Sequence, residues 1–169
     1  MKQLLIVWHS RTGAARQMAE AAARGAQSAA AQLEQESELR VELRRASDVQ
    51  AEDLLASHGY LFCAPENLAG LSGEMKECFD RNYYAVLDRI QGLPYACAIS
   101  AGSDGSGAAR QTERICTGWR LKAVAPALIV NMGAQTAQQI LAPKTVAQAD
   151  LEKCEELGGL LAGTLLLGQ

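Results

Sequence analysis

The chain has 169 residues, 49% hydrophobic and 21% charged, with a formal net charge of −3. That length suits one domain whose core needs no staples. The slight acidic balance lacks the basic excess of a nucleic-acid-binding surface, and no apolar run nears the roughly 20 residues that span a bilayer. The five cysteines (Cys63, Cys78, Cys97, Cys116, Cys154) form no C-x-x-C pair, and His9 and His58 have no ligand cluster beside them. Neither a disulfide framework nor a zinc site is expected. Most of the cysteines fall in apolar runs and read as small core residues. The N-terminus enters a strand directly, without a signal-peptide pattern, so the expected location is the cytoplasm.

Residues 3–8 (QLLIVW) are a nearly continuous apolar run, the pattern of a strand buried on both faces. A polar turn follows, Ser10-Arg11-Thr12-Gly13. Residues 13–34 then carry Met18, Ala22, Ala26, Ala29 and Leu33 at helical spacing. Residues 39–45 (LRVELRR) alternate apolar and charged, which predicts an edge strand. Residues 48–56 predict a short helix or turn. Residues 59–64 predict a buried strand ended by Pro65, which lacks the N–H of a strand ladder. Residues 65–73 (PENLAGLSG) are then expected to be a loop. A helix over 74–84, starting at Ser72 or Gly73, turns Met75, Cys78 and Phe79 inward. A third buried strand is predicted over 94–100, a glycine-rich loop over 101–107, and a helix over 108–117 closed at Gly118. Residues 124–131 predict a fourth buried strand and 133–145 a loop. The terminal helix, 147–167, is expected to be broken or loosened at Gly158 and Gly159.

This alternation of strands and helices predicts an α/β domain over residues 1–169. The expected architecture is a doubly wound five-stranded parallel sheet, order 2-1-3-4-5, with helices on both faces. Ligands of such sheets bind beyond the carboxyl ends of the strands. Three loops rich in hydroxyl, amide and glycine groups leave that edge, at 10–15, 65–73 and 101–107. The first offers the hydroxyls of Ser10 and Thr12 and the free N–H groups of a helix start, which suit a phosphate. Gly13 removes a Cβ from its path. A plain helix cap at Thr12 is the alternative. The turn is neither G-x-x-x-x-G-K-[ST] nor G-x-G-x-x-G. The other two loops can flank a flat ring and hydrogen-bond its edge through the backbone.

S-R-T-G at 10–13, P-E-N-L-A-G-L-S-G-E-M-K-E-C-F-D-R at 65–81 and A-G-S-D-G-S-G at 101–107 occur in the order of a known family. Over nearly its whole length the chain resembles the flavodoxin-like FMN-dependent NAD(P)H oxidoreductases, which include FMN and quinone reductases. The resemblance implies that Ser10, Arg11, Thr12, Gly13, Ala14 and Ala15 bind the FMN phosphate. It implies that Pro65, Glu66, Asn67, Leu68, Ala69 and Gly70, with Ala101, Gly102, Ser103, Asp104 and Gly105, bracket the isoalloxazine ring. The implied activity is hydride transfer from NAD(P)H through FMN to a small-molecule acceptor such as a quinone or free flavin. A homo-dimer or tetramer is expected, with no nucleic-acid or membrane partner, no metal and no catalytic side chain that can be named.

Two departures bear on that reading. Family members commonly carry a hydroxyl or amide where Ala14 and Ala15 stand, so one or two side-chain bonds to the phosphate are missing. Losing one such bond weakens binding about tenfold or more. Arg11 is either a compensating cation or a solvated loop residue. The stacking aromatics of electron-transfer flavodoxins are absent from 65–70, where Leu68 is the largest apolar group. An open ring face, accessible to nicotinamide, is therefore expected. The alternative is a non-catalytic electron carrier or regulatory domain with weak or lost FMN binding. Asp104 reads first as a turn former, and Glu66 and Asn67 either as ring contacts or as solvated loop residues. Lys76 and Asp80-Arg81 read as a surface pair or a subunit contact. Tyr83, Tyr84 and Trp119 read first as core or interface packing, with a substrate pocket or oligomer contact as the alternative.

Overall fold

Strand β1 (Lys2–Trp8) lies inside the sheet because its apolar residues face both ways: Leu4 to Val7 are wholly buried. The structure, a computed structural model, describes residues 1–168. Beside β1 run β2 (Leu39–Arg45) and β3 (Gly59–Asn67), both parallel to it. As its alternating pattern predicts, β2 is the edge. The sheet continues from β3 to β5 (Pro94–Ala101), and the outermost position is filled by β6 (Lys122–Ala123) and β7 (Leu128–Asn131). The five positions follow the expected order. The fifth is not the continuous strand expected over 124–131. Pro126 sits in the gap between β6 and β7, where its missing N–H breaks no ladder bond.

Alternate residues of β1 feed two cores. Leu4 and Ile6 pack with helices α1 (Ala14–Gln32) and α6 (Gln148–Leu167). Leu5 and Val7 face the layer of α2 (Ala51–Ala56), α3 (Gly73–Val86) and α4 (Ser106–Gly118). Trp119 is buried there against Phe79 and Phe62, so it packs the core. All five cysteines are buried free thiols, and burial pushes Cys78 up to about 11 and Cys97 up to about 12, which makes them inert.

Three further expectations are corrected. Pro65 does not end β3. Its register partner is Ser100 of β5, and its carbonyl accepts the Ser72 N–H at 3.2 Å. The chain then turns through Leu68-Ala69 into the short antiparallel strand β4 (Gly70–Leu71), so residues 65–71 are a hairpin, not a loop. Both turn residues have positive φ, 51° and 62°, as a tight primed hairpin turn requires. Residues 133–145 contain a helix, α5 (Ala137–Leu141), opened by Thr136. The Thr136 hydroxyl accepts the Gln139 N–H at 3.2 Å, and the Gln139 side chain accepts the Thr136 N–H at 3.1 Å. Finally, α6 runs unbroken through Gly158 and Gly159. A Cβ on Gly158 would lie 1.9 Å from the Ala22 carbonyl oxygen, and one on Gly25 would lie 1.9 Å from that of Glu155. These glycines let two helix backbones touch.

Candidate functional site

The carboxyl ends of β1, β3 and β5 open into a cleft of about 400 Å³. Its floor is the first turn. Helix α1 is capped by Gly13, at φ 101°, and not by Thr12. Ser10 Oγ accepts the Gly13 N–H at 3.1 Å and so shapes the turn. Its carbonyls are engaged: Thr12 O accepts Lys144 N–H at 2.7 Å, and Gly13 O accepts Gln17 N–H at 3.2 Å. The N–H groups of Thr12, Ala14, Ala15 and Arg16 are left with no acceptor among the described residues. Free donors at the positive end of a 19-residue helix favour an anion. Ser10, Arg11, Thr12 and Ala14 line the cleft at this point, whereas Ala15 is buried and its carbonyl accepts the Cys63 thiol at 3.1 Å.

The second wall is Pro65, Glu66 and Asn67. Here Glu66, which lines the cleft, also has a role that neither expectation named. Its carboxylate accepts the Gly105 N–H at 2.9 Å and the Ala108 N–H at 3.0 Å, which caps α4. The cap is needed because Gly105, at φ 94°, brings no side chain. Asp104 is the turn former: it accepts the Ser106 N–H at 3.2 Å and hydroxyl at 2.7 Å, bonds that hold its carboxyl below the usual range. The hairpin tip is docked on α4. Leu71 N–H donates to Gln111 Oε1 at 2.7 Å, and a Cβ on Gly107 would strike the Ala69 carbonyl oxygen at 2.1 Å. Leu68 stands wholly exposed at that tip. Leu68, Ala69, Gly70, Ser103, Asp104 and Gly105 frame the walls without lining the cleft, and Gly13 faces away from it.

Ala101 and Gly102, joined by Ser100, make the third wall. A Cβ at Gly102 would lie 2.9 Å from the Ala134 carbonyl oxygen, so only glycine lets the segment beyond β7 close in. That segment is the wall the sequence reading missed. Met132, Ala134, Ile140, Leu141 and Lys144 line the cleft from it. Lys144 Nζ donates to the carbonyls of Gln139, Ile140 and Ala142, closing the end of α5. Gln17 stitches the segment down: Nε2 donates to Lys144 O at 2.8 Å and Oε1 accepts Val146 N–H at 3.1 Å. The T-A-Q-Q capping pattern at 136–139, followed by Ile140-Leu141, was the available signal.

Beneath the hairpin, His9 Nδ1 lies 2.8 Å from Ser72 Oγ and Nε2 lies 3.3 Å from Glu74 Oε2. Burial holds His9 below its ordinary pKa, opposed by Glu74 and helped by Arg11. This line of three presents no nucleophile, because Ser72 is wholly buried at the start of α3. Lys76–Asp80 and Glu77–Arg81 are helix-surface ion pairs at 2.7 and 2.9 Å. Tyr83 and Tyr84 are exposed.

The sheet order and the place of the cleft define a flavodoxin-like α/β protein. No protein-family profile and no curated sequence matches the chain. Solved structures do. A flavodoxin from the domain Archaea aligns over 97% of this chain and 99% of its own, at 18% identity and TM-score 0.75. A WrbA-like flavodoxin from Agrobacterium tumefaciens aligns over 100% of both chains, at 16% identity and TM-score 0.73. An oxidoreductase from Corynebacterium diphtheriae aligns over 99% of this chain and 98% of its own, at 19% identity and TM-score 0.74. At these identities the likeness is one of fold. Among the described residues no helix is long and apolar enough to cross a membrane, and no cluster of His, Cys, Asp and Glu suits a metal.

Proposed function

We propose that the cleft holds FMN and that the protein is an NAD(P)H-dependent oxidoreductase passing hydride to a quinone, a flavin or a similar acceptor. One observation carries the reading: Thr12 and Ala14, whose N–H groups have no acceptor among the described residues, line the same 400 Å³ space as Pro65, Glu66 and Asn67 and as Ala101 and Gly102. That volume falls within the ordinary range for small-molecule sites. The names of the fold's neighbours, flavodoxins and an oxidoreductase, agree with a redox role.

The donor set fits a phosphate monoester. The hydroxyls of Ser10 and Thr12, the N–H groups of Thr12, Ala14 and Ala15, and the Arg11 guanidinium surround the position it would take. Ala14 and Ala15 contribute backbone only, which lowers affinity without removing the cradle. The hairpin and the Ala101–Gly102 segment flank the ring. Glu66 keeps those two walls at a fixed separation by binding the start of α4. Bound FMN supplies two-electron redox chemistry, and the protein orients it and tunes its electronics. With Leu68 in place of an aromatic, the outer ring face stays open for a stacked nicotinamide or acceptor. Ala14 and Ala15 favour a second reading, a carrier without NAD(P)H activity.

Titrating FMN into the purified protein and following flavin fluorescence tests the first step. Saturable quenching at one FMN per chain is expected, and its absence sinks both readings. Oxidation of NADPH or NADH with a quinone then separates reductase from carrier.

A further inference from the structure

One carboxylate oxygen beside the first turn is shared by two nitrogen groups. Glu74 Oε2 lies 3.5 Å from Arg11 Nη2 and 3.3 Å from His9 Nε2. Glu74 presents it from the first turn of α3, and His9 approaches from the end of β1. Arg11 is exposed and borders two spaces: the cleft described above and a neighbouring hollow of about 460 Å³ that His9 and Glu74 also line. We propose that a phosphate bound at the first turn draws Arg11 away from Glu74, and that His9 takes up a proton from solvent to hold the carboxylate in its place. The exchange rests on the reading of that turn as a phosphate site.

An exposed arginine–carboxylate pair at 3.5 Å is held weakly. A phosphate dianion offers the same guanidinium a stronger, two-pronged contact. Lys144, the other cation lining the cleft, is engaged by three backbone carbonyls. Ala14 and Ala15 bring no side-chain donor, so Arg11 is the cation left to turn toward the anion. Once it turns, Glu74 Oε2 faces the imidazole alone.

In the free protein burial and Arg11 disfavour the imidazolium, Glu74 favours it, and burial dominates. Departure of Arg11 removes one opponent, and the incoming anion adds a second favourable charge, so protonation becomes easier. Ser72 Oγ, 2.8 Å from His9 Nδ1, suits either state: it donates to the neutral ring and accepts from the charged one. The surroundings hold steady. Cys63, whose carbonyl accepts the His9 N–H at 3.0 Å, is a buried thiol that stays neutral. Glu77 is paired with Arg81 at 2.9 Å and Arg16 with Glu20 at 2.7 Å. Arg45, at the end of β2, borders the hollow and stays cationic.

Proton NMR of the two histidine rings, on the full chain, tests the exchange. His58 is the internal control, because its ring lies against Gln3 at the opposite end of β1. Saturating FMN is expected to move the His9 titration midpoint up by about half a pH unit or more and to leave His58 in place. Arg11→Ala is expected to raise the His9 midpoint before any anion is added, and to weaken FMN about tenfold in fluorescence quenching. Glu74→Gln is expected to lose most of the FMN-dependent movement. It is also expected to bind FMN about two- to fivefold more tightly, since Arg11 no longer has a rival partner. A Glu74 with a merely structural role gives the opposite sign. Three results would each overturn the proposal and leave the flavin reading standing: a His9 midpoint indifferent to bound FMN, an unchanged free midpoint in Arg11→Ala, or weaker FMN binding by Glu74→Gln. In a protein that ignores FMN, sulfate is the probe, a dianion that does not itself titrate in this range. His9 moving with sulfate alone keeps the exchange and removes the flavin reading, and no movement with either removes both.

Discussion

Glu66 ties the hairpin to the start of α4 through two backbone N–H groups 39 and 42 positions away in sequence. Glu66→Ala is expected to lower stability by about 1–3 kcal/mol in urea unfolding, since two orphan donors lose a charged acceptor. Glu66→Gln keeps one acceptor oxygen and is expected to lose less. Nothing near Glu66 in the chain announces this role, because its partners are placed by tertiary structure. The place of Ser10 in the first turn was legible for the opposite reason: its bond to the Gly13 N–H closes within three residues. Leu68 and Ala69 offer a second test. Both sit at positive φ, which costs non-glycine residues roughly 1–2 kcal/mol each. Leu68 is fully exposed and gains nothing from burial in return. Replacing the pair with Asn-Gly is expected to stabilise the fold by about 1–2 kcal/mol, read as a higher urea midpoint.

Among the elements, strands and helices with strong periodicity are where the pattern places them, and the departures share a cause. Local propensity reads Gly158 as a helix weakener and Pro65 as a strand terminator. Packing overrides the first and a carbonyl bond carries the strand past the second. The helix pair makes this measurable. Gly158→Ala drives a Cβ into the Ala22 carbonyl and is expected to cost about 1–3 kcal/mol or more in chemical denaturation. Gly163→Ala, five residues on in the same helix, meets nothing within 4 Å and is expected to stabilise by about 0.5–1 kcal/mol. The same substitution takes opposite signs, decided by one neighbouring backbone.

For the molecule as a whole, pH acts through its two histidines. Burial holds both His9 and His58 below the ordinary value near 6.5, and His58 Nδ1 also accepts the Gln3 N–H at 3.1 Å. The folded state therefore binds fewer protons than the unfolded chain. Stability is full above about 6.5 and falls as the pH drops through the interval between 6.5 and the lowered folded-state values. The urea midpoint is expected to decline from pH 7 toward about 5.5, less steeply in a His9→Asn, His58→Asn double variant. The fold class was legible because alternation and burial repeat along the entire chain. The cleft's fourth wall was not, since the turn it closes on lies over a hundred residues earlier, at Thr12 and Gln17.

Gln17 carries a structural load for a wall it does not line. Two of its side-chain bonds, to the Lys144 carbonyl and the Val146 N–H, join the Lys144 N–H bond to Thr12 O in tying residues 144–146 to the first turn. Losing that one amide would slacken the far side of the cleft while every side chain facing the cavity stays as it is.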